Sequence, residues 1–252
     1  MATVNQILDF FEEFAPVASA MEFDNVGLLA GSADAEVNKV LLSLDITPEV
    51  VEEAKVEGCE LIISHHPVIF QPLKRLEKQS AAYLLAKYDI TAVCMHTNLD
   101  LSEVLGVNTC LADAIGVKNL KKAEIGECLF IGELEQETDI DDFALKVKSA
   151  LSCEGLRYTA VKPVVKTVAV SSGSGGSNAA EAAALGADAL VVGEIKHHDI
   201  NNANTLGLDV IDAGHFKSED IVILPLKNKL EKRFPDTFFT KSKVYGDKVK
   251  YI

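Results

Sequence analysis

The chain has 252 residues, of which 48% are hydrophobic, 25% are charged and only 6% are aromatic. This balance is that of a folded protein with little long-range disorder, and the length allows either one large domain or two ordinary ones. The formal net charge of −14 argues against a nucleic-acid partner, because binding to phosphate backbones depends on clustered Lys and Arg side chains.

The first predicted element is an amphipathic helix near the amino terminus, which Thr3 and Gln6 open as a capping box. This segment has neither the basic region nor the apolar stretch of a signal peptide, and no run reaches the ~18 apolar residues that cross a bilayer. The five cysteines are widely spaced and form no C-x-x-C pair, which indicates reduced thiols. We therefore expect a soluble cytoplasmic protein without a membrane partner.

Strand-like and helix-like segments then alternate. Buried strands are predicted at KVLLSLD, CELIISHH and ITAVCMH, and the helices between them at TPEVVEEAKVEG and SAAYLLAKY. Trp is absent and Val, Ile, Leu and Ala must form the core, as in a parallel sheet covered by helices. The predicted fold class is α/β.

A second series follows the helix-like stretch SEVLGVNTCLADAIG. A strand is predicted from about Ile125 to Leu134, then an Asp-capped helix in DIDDFALKVKSALSC, then strands at VKTVAVSS, ADALVVGE and LDVIDAGH. The charged stretch from Lys118 to Glu124 is the predicted boundary. The first domain would cover residues 1–124, completed by residues 233–252, and the second residues 125–232. The two series resemble each other as a weak internal repeat, and chance similarity is an equal alternative.

Histidine side chains follow the predicted strands, at the edge where open parallel sheets place ligand sites. His65 and His66 end one strand, and Pro67 biases His66 away from helical geometry, so that the two rings splay and serve neighbouring ions. For an isolated pair, the favoured interpretation is instead two exposed loop histidines that end a strand.

Two further segments place an acid four residues after a histidine. His215 and Glu219 would face the same way on a helix and converge on one centre, although a surface ion pair explains them equally well. His96 and Asp100 share the spacing, and the alternative there is a turn in which Asn98 and Asp100 satisfy backbone groups.

Convergence of these segments favours a metal site. Three strand ends each bring histidine, and two bring a carboxylate, in a chain with only six histidines. Nitrogen and carboxylate-oxygen donors in this ratio suit zinc, iron, manganese, cobalt or nickel better than magnesium or calcium. We predict two divalent transition-metal ions per chain, with Glu219 as the bridging carboxylate.

The chain resembles the GTP cyclohydrolase 1 type 2 homolog family, also called the Nif-three-like proteins, over nearly its full length. The motifs that carry the resemblance are, in order, EFDNVGLLAG, SHHPVIF, HTNLD, GSGGS, GEIKHHD and DAGHFKSE. One departure is Phe23, where many relatives have Trp. The resemblance implies that the metal ligands are His65, His66, Asp100, His215 and Glu219, and that His96 lies beside the site. If the protein is a hydrolase, His96 is the candidate proton shuttle.

The resemblance also implies an architecture and an assembly. It implies two similar α/β domains with the dinuclear metal site in the interdomain cleft, and a ring-shaped homohexamer built as a trimer of dimers. The chain corresponds to the shorter form of the family, without an inserted domain. Phenylalanines concentrate near both ends of the chain, where they form subunit interfaces or, as the alternative, pack within the first domain.

Two functions from different classes follow. The first is a metal-dependent hydrolase that acts on an unidentified small-molecule substrate; the family name is poor evidence that this substrate is GTP. The second is a non-enzymatic metal-binding, metal-carrying or adaptor protein.

Several polar signals have no predicted role. The loop from Gly173 to Gly176 either approaches a phosphate with its backbone N–H groups or is a glycine-permitted turn. Asp24 and Asn25 match a family motif and are equally explained by turn formation. Four residues either bind substrate, orient the metal ligands or begin a polar helix: Glu194, His197, His198 and Asp199.

Overall fold

The structure is a computed structural model that describes residues 1–252. Its strands are β1 (Ala2–Thr3), β2 (Gly27–Ala30), β3 (Glu36–Val37), β4 (Lys39–Ser43), β5 (Leu61–Ser64), β6 (Thr91–Cys94), β7 (Lys118–Lys122), β8 (Phe130–Asp139), β9 (Arg157–Tyr158), β10 (Val164–Ser171), β11 (Ala189–Val192), β12 (Asp209–Asp212) and β13 (Phe238–Lys241). Its α-helices are α1 (Val4–Glu12), α2 (Pro48–Glu57), α3 (Ala81–Tyr88), α4 (Thr97–Asp100), α5 (Val107–Ile115), α6 (Ile140–Ala150), α7 (Ala179–Ala184), α8 (His197–Thr205), α9 (His215–Glu219) and α10 (Ile223–Arg233).

The chain divides by its internal contacts into two compact units. The first unit comprises Met1–Leu105 and Ile223–Gly246, and the second comprises Gly106–Val222 and Asp247–Ile252. The predicted α/β fold class is confirmed, since each unit combines helices with a sheet. The predicted domain limits stay predictions. None of the helices is both long enough and apolar enough to span a membrane.

The first unit contains a five-stranded sheet in the order β13-β4-β5-β6-β2. The first four strands run parallel, and β2 is antiparallel to β6. All residues of β5 and β6 are buried, which explains why these strands appear in the sequence as continuous apolar runs. Helices α2 and α3 pack on the sheet through Val50, Ala54 and Leu85.

Local capping sets the helix limits in this unit. The capping box of α1 is confirmed: Gln6 N donates to Thr3 Oγ1, and Thr3 N donates to Gln6 Oε1 at 3.0 Å. Helix α2 begins after Thr47, whose hydroxyl accepts from Val50 N, and it ends at Gly58 in a left-handed conformation with φ of 70°.

Aromatic rings from both ends of the chain pack together in the first unit. The centroid of Phe10 lies 5.5 Å from that of Phe14 and 5.8 Å from that of Phe234, and the latter ring lies 6.5 Å from Phe239. These rings therefore pack within the first unit, which was the alternative to a subunit interface.

The second unit contains a six-stranded sheet in the order β7-β8-β10-β11-β12-β9. Strands β10, β11 and β12 run parallel, and the outer pairs are antiparallel. Side chains alternate between two apolar clusters. Val168 and Val170 of β10 lie with the side chains of α5 and α6, whereas Ala169 lies with those of α7 and α8.

The charged stretch at 118–124 contains a strand. Residues Lys118–Lys122 form β7, which pairs antiparallel with β8 at the edge of the sheet. The strand predicted from Ile125 forms later, at Phe130–Asp139. The Asp-capped helix that follows is confirmed, because Asp139 Oδ1 accepts from Asp141 N at 2.9 Å.

In each unit, three parallel strands end at the same level of the sheet. In the first unit Ser43, Ser64 and Cys94 are aligned neighbours across β4, β5 and β6. In the second unit Ser171, Val192 and Asp212 are aligned across β10, β11 and β12. The side chains that follow these residues are therefore gathered at one edge of each sheet.

Candidate metal centre

Three histidines gather at the carboxyl ends of β5 and β6. One ring nitrogen from each of His65, His66 and His96 lies within 4.8 Å of the others, and the ring centroids are 5.0, 5.1 and 5.5 Å apart. His65 is only 1% exposed, and the other two rings are partly buried. The pair His65–His66 is therefore more than an exposed loop that ends a strand.

In both histidines that are predicted metal ligands on this edge, an oxygen atom lies within hydrogen-bond distance of Nδ1. His65 Nδ1 lies 2.9 Å from the carbonyl oxygen of Met95, and His66 Nδ1 lies 3.0 Å from Asp45 Oδ1. A carbonyl or an ionised carboxylate only accepts hydrogen bonds, so each ring carries a proton on Nδ1, and Nε2 is the nitrogen that remains to bind a metal. Both rings are therefore oriented as in metal sites where histidine binds through Nε2 and donates from Nδ1.

Asp24 makes the corresponding contact to His96. Its carboxylate accepts from His96 Nδ1 at 2.8 Å, from Thr97 N at 3.0 Å, from Thr97 Oγ1 at 2.5 Å and from Asn25 N at 2.8 Å. Burial alone would raise the pKa of Asp24, but the hydrogen bonds from His96 and Thr97 outweigh it and hold the pKa well below its usual range. Asp24 is thus a charged partner of the histidine cluster.

Asp100 lies at the end of the one-turn helix α4 and faces His65. Its Oδ1 atom is 3.6 Å from His65 Nε2, and the residue is 7% exposed. The turn forms because the carbonyl of His96 accepts from Leu99 N and Asp100 N, while Asn98 Oδ1 accepts from His96 N at 3.0 Å. Asn98 therefore satisfies the backbone, and Asp100 is directed to the cluster.

In the second unit, His215 and Glu219 lie four residues apart on α9, as their spacing predicts. His215 Nε2 is 3.1 Å from Glu219 Oε2, and Glu219 is only 4% exposed. Glu194, which follows β11, places Oε2 3.6 Å from His215 Nδ1. This edge of the second sheet thus brings together one imidazole and two carboxylates.

The glycine loop after β10 makes room for the buried acid. Gly173 has a φ of 56°, and a Cβ atom on it would collide with the Glu219 carboxylate. Gly173 N donates to Ser218 Oγ at 3.1 Å, and Ser172 N donates to Asn108 Oδ1 at 2.8 Å. These two N–H groups are engaged by side chains of the protein, and the glycine at this position serves close packing.

The other polar signals of the second unit have local partners. His198 Nε2 lies 3.3 Å from Asp199 Oδ1, and His197 Nε2 lies 3.3 Å from Asn201 Nδ2 within α8. Glu194 Oε1 accepts from Ser174 Oγ at 2.7 Å. Glu194 therefore links the glycine loop to His215, a role that the sequence alone leaves open.

Comparison with known proteins indicates the same family as the sequence motifs. The family model described as Duf34/NIF3 (NGG1p interacting factor 3) matches residues 2–247. The chain belongs to this family. A Duf34/NIF3 relative from Clostridium perfringens, named GTP cyclohydrolase 1 type 2 homolog, is 33% identical over 261 residues, which cover 99% of each chain.

Solved structures show the same fold. A hypothetical protein of Staphylococcus aureus has a TM-score of 0.91 at 29% identity, with 99% of each chain covered. A Bacillus cereus protein related to NIF3 has a TM-score of 0.90 at 23% identity, covering 100% of this chain and 99% of the other. The mixed α/β fold with several sheets is therefore that of the Duf34/NIF3 structures.

The residues present fit a transition metal. Both units offer imidazole nitrogen and carboxylate oxygen, the donors that zinc, iron, manganese, cobalt and nickel accept. In the first unit the rings are also held from behind by Met95, Asp45 and Asp24, as the rings of metal-binding histidines are. The clusters are therefore candidate metal sites, and the individual ligand roles stay predictions.

Two functional candidates have no predicted role in the sequence. Asp45 is the second residue after β4, as His66 is the second after β5, so the rule that places ligands after parallel strands was sufficient to find it. Asp24 precedes β2, and nothing in its local sequence signals that it contacts His96.

Proposed function

We propose that this Duf34/NIF3 protein is a metal-dependent hydrolase with a dinuclear centre of divalent transition-metal ions. The proposed ligands are His65, His66, Asp100, His215 and Glu219. The observation that carries the proposal is the cluster of imidazoles in the first unit, in which ring nitrogens converge within 4.8 Å. The relatives' name, GTP cyclohydrolase 1 type 2 homolog, supports hydrolysis, and we leave the small-molecule substrate open.

Bound ions of this class supply Lewis acidity and activate water at neutral pH. The protein contributes orientation and charge. Met95 and Asp45 fix the rings of His65 and His66, so the donor atoms need little reorganisation when they bind. The buried carboxylates of Asp100 and Glu219 supply negative charge that balances the cations. Action in the cytoplasm is part of the same proposal.

The metal content tests the centre directly. Elemental analysis of protein purified without chelator and then reloaded should give about two transition-metal ions per chain, because five ligands exceed what one ion with open positions needs. A content near zero after reloading would reject the centre.

A pair of double variants tests the choice of ligands. The variant with His215→Ala and Glu219→Ala should lose more metal than the variant with His197→Ala and His198→Ala, whose side chains have partners on α8. Equal losses would show that these ligands are misassigned.

Activity is tested by screening the metal-loaded protein against nucleotides, phosphoesters and cyclic amides. Glu219→Gln should abolish any turnover, whereas Glu135→Gln, at an exposed position of β8, should leave it unchanged. Full metal content without turnover in the whole screen would instead favour the non-enzymatic metal-binding or adaptor function.

A further inference from the structure

A tyrosine near the end of the first unit contacts a residue that supports the histidine cluster. Strand β13 runs parallel to β4, with Lys241 aligned to Leu42, so the residues that follow these two strands meet at the same edge of the sheet. Asp45 follows β4, and Tyr245 follows β13. The Tyr245 hydroxyl donates a hydrogen bond to Asp45 Oδ2, across 200 positions of the chain.

Asp45 joins this tyrosine to a predicted metal ligand. Its Oδ1 atom accepts from His66 Nδ1 at 3.0 Å, while its Oδ2 atom accepts from the Tyr245 hydroxyl. The terminal torsion of an aspartate has a broad energy minimum, so a single hydrogen bond leaves the carboxylate free to rotate, and a donor on the second oxygen limits that rotation. Asp45 therefore sets the direction of the His66 ring, and Tyr245 sets the direction of the Asp45 carboxylate.

The turn that carries Tyr245 is itself held to helix α2. Glu53 accepts from Lys243 N at 2.8 Å and from Ser242 Oγ, and Ser242 Oγ accepts from Tyr245 N at 3.2 Å. The Tyr245 ring is partly buried and packs against the apolar cluster that α2 and α3 form with the sheet. The position of the hydroxyl is therefore fixed by contacts other than its hydrogen bond to Asp45.

We propose that Tyr245 is a positioning residue of the metal centre, which acts on the ring of His66 through Asp45. The inference rests on the proposed centre and adds no ligand to it. An imidazole that binds a metal must be held in the direction of the ion, and groups behind the ligands contribute to metal affinity for that reason. Loss of the hydroxyl should therefore weaken metal binding, although the substitution removes neither a ligand nor the carboxylate behind it.

The cobalt(II) affinity of the full chain, measured by calorimetry, tests the proposal. Tyr245→Phe removes only the hydroxyl and leaves the ring in the apolar cluster. It should weaken cobalt binding about three- to tenfold, which is less than the roughly 10- to 100-fold loss typical of a group that contacts a ligand directly.

Tyr88→Phe is the matched control. The Tyr88 ring packs against the same apolar cluster, and its hydroxyl also donates to a carboxylate, at 2.6 Å from Glu52 Oε1. Both variants lose one hydrogen bond of the same kind, so their melting temperatures should fall by similar amounts. Only Tyr245→Phe should change the cobalt affinity.

A double-variant cycle shows whether Tyr245 acts through Asp45. Asp45→Ala should weaken cobalt binding about 10- to 100-fold. Adding Tyr245→Phe to it should cause no further loss, because the hydroxyl has already lost the group on which it acts. Circular dichroism reports whether the variants fold. Asp45→Asn, which keeps the size of the side chain, replaces the alanine variant in the cycle if that variant does not fold.

Three results would overturn the role of Tyr245 and leave the metal centre in place: wild-type cobalt affinity in a folded Tyr245→Phe protein, an equal loss of affinity in Tyr88→Phe, or losses that add in the double variant. A wild-type chain that binds no cobalt would reject the centre and the role of Tyr245 together. Cobalt binding that depends on Tyr245, without turnover of any compound in the substrate screen, would reject the hydrolase alone.

Discussion

At the scale of single residues, the buried acid of the second unit depends on the absence of a side chain at Gly173. The Glu219 carboxylate occupies the space that a Cβ atom at position 173 would need. The same glycine has a positive φ of 56°, which most residues adopt only at a cost. Two separate demands therefore select glycine here, and only one of them concerns the candidate centre.

Substitution of two glycines separates these demands. Gly173→Ala and Gly186→Ala both place alanine at a positive φ, but position 186 has no atom within 4 Å of the added Cβ. The left-handed backbone alone should cost each variant about 1–2 kcal/mol of unfolding free energy, and Gly173→Ala should lose more because its Cβ also collides with Glu219. Only Gly173→Ala should also lose metal affinity, by about tenfold or more, because it displaces Glu219. Denaturant titration and metal calorimetry measure the two effects, and equal metal affinity in both variants would contradict the prediction.

The residues of the candidate centre were predictable to the extent that they share a local rule. His65 and His66 end a strand, and His215 and Glu219 have helical spacing, so the sequence alone brings each pair together. The contact between Asp24 and His96 spans 72 positions. Helix and strand periodicity relate only residues that are close in sequence. The contact between Asp24 and His96 is therefore visible only in the folded structure.

At the scale of elements, the central strands were predictable and the edge strands were not. β5 and β6 are buried on both faces and are therefore continuous apolar runs. β7 is KNLKK, with four of its five residues exposed, and its lysines suit an edge that must not pair with other chains. Its strand conformation comes from pairing with β8, so its own composition indicates a linker instead.

A carboxylate supports the irregular part of β10. The pairing of β10 with β8 shifts register between Val165 and Thr167, which leaves backbone N–H groups to be satisfied. Asp188, just before β11, accepts from Lys166 N at 3.1 Å, from Thr167 N at 2.9 Å and from Lys162 Nζ at 2.7 Å. Burial would raise the pKa of Asp188, but these hydrogen bonds outweigh it and lower the pKa.

Asp188→Asn should therefore cost about 1–2 kcal/mol of stability at neutral pH. Because the folded pKa lies below the unfolded one, the stabilisation by Asp188 is present above about pH 4 and is lost as pH falls through the folded value. Denaturant titrations from pH 7 to pH 2 should show the two proteins converging in acid. Asp236→Asn, which removes a charge at an exposed position, should show no such convergence.

At the scale of the whole molecule, the association of several chains must overcome the repulsion between their negative charges. Each chain carries a formal charge of −14, so like chains repel at long range and associate only through specific, well-packed contacts. Most rings at the two chain ends pack within the first unit, but Phe23 and Phe238 are 55% and 60% exposed. These two rings are available for contacts between subunits.

The proposed homohexamer, a trimer of dimers, is tested by light scattering. At micromolar concentration and physiological salt, the mass should be near that of six chains. Lowering the salt should shift the mass downward, because screening of the acidic subunits decreases. A stable monomer under both conditions would reject the hexamer.

The position of β13 in the first sheet has a consequence for biosynthesis. This strand pairs with β4, whose residues Val40, Leu41 and Leu42 are buried, yet the ribosome makes β13 after every strand of the second unit. Until then, β4 is an unpaired apolar edge that neighbouring nascent chains can join. We expect the histidine-bearing sheet to mature late, so that ribosome stalling ahead of Phe238 yields chains that depend on chaperones to avoid aggregation.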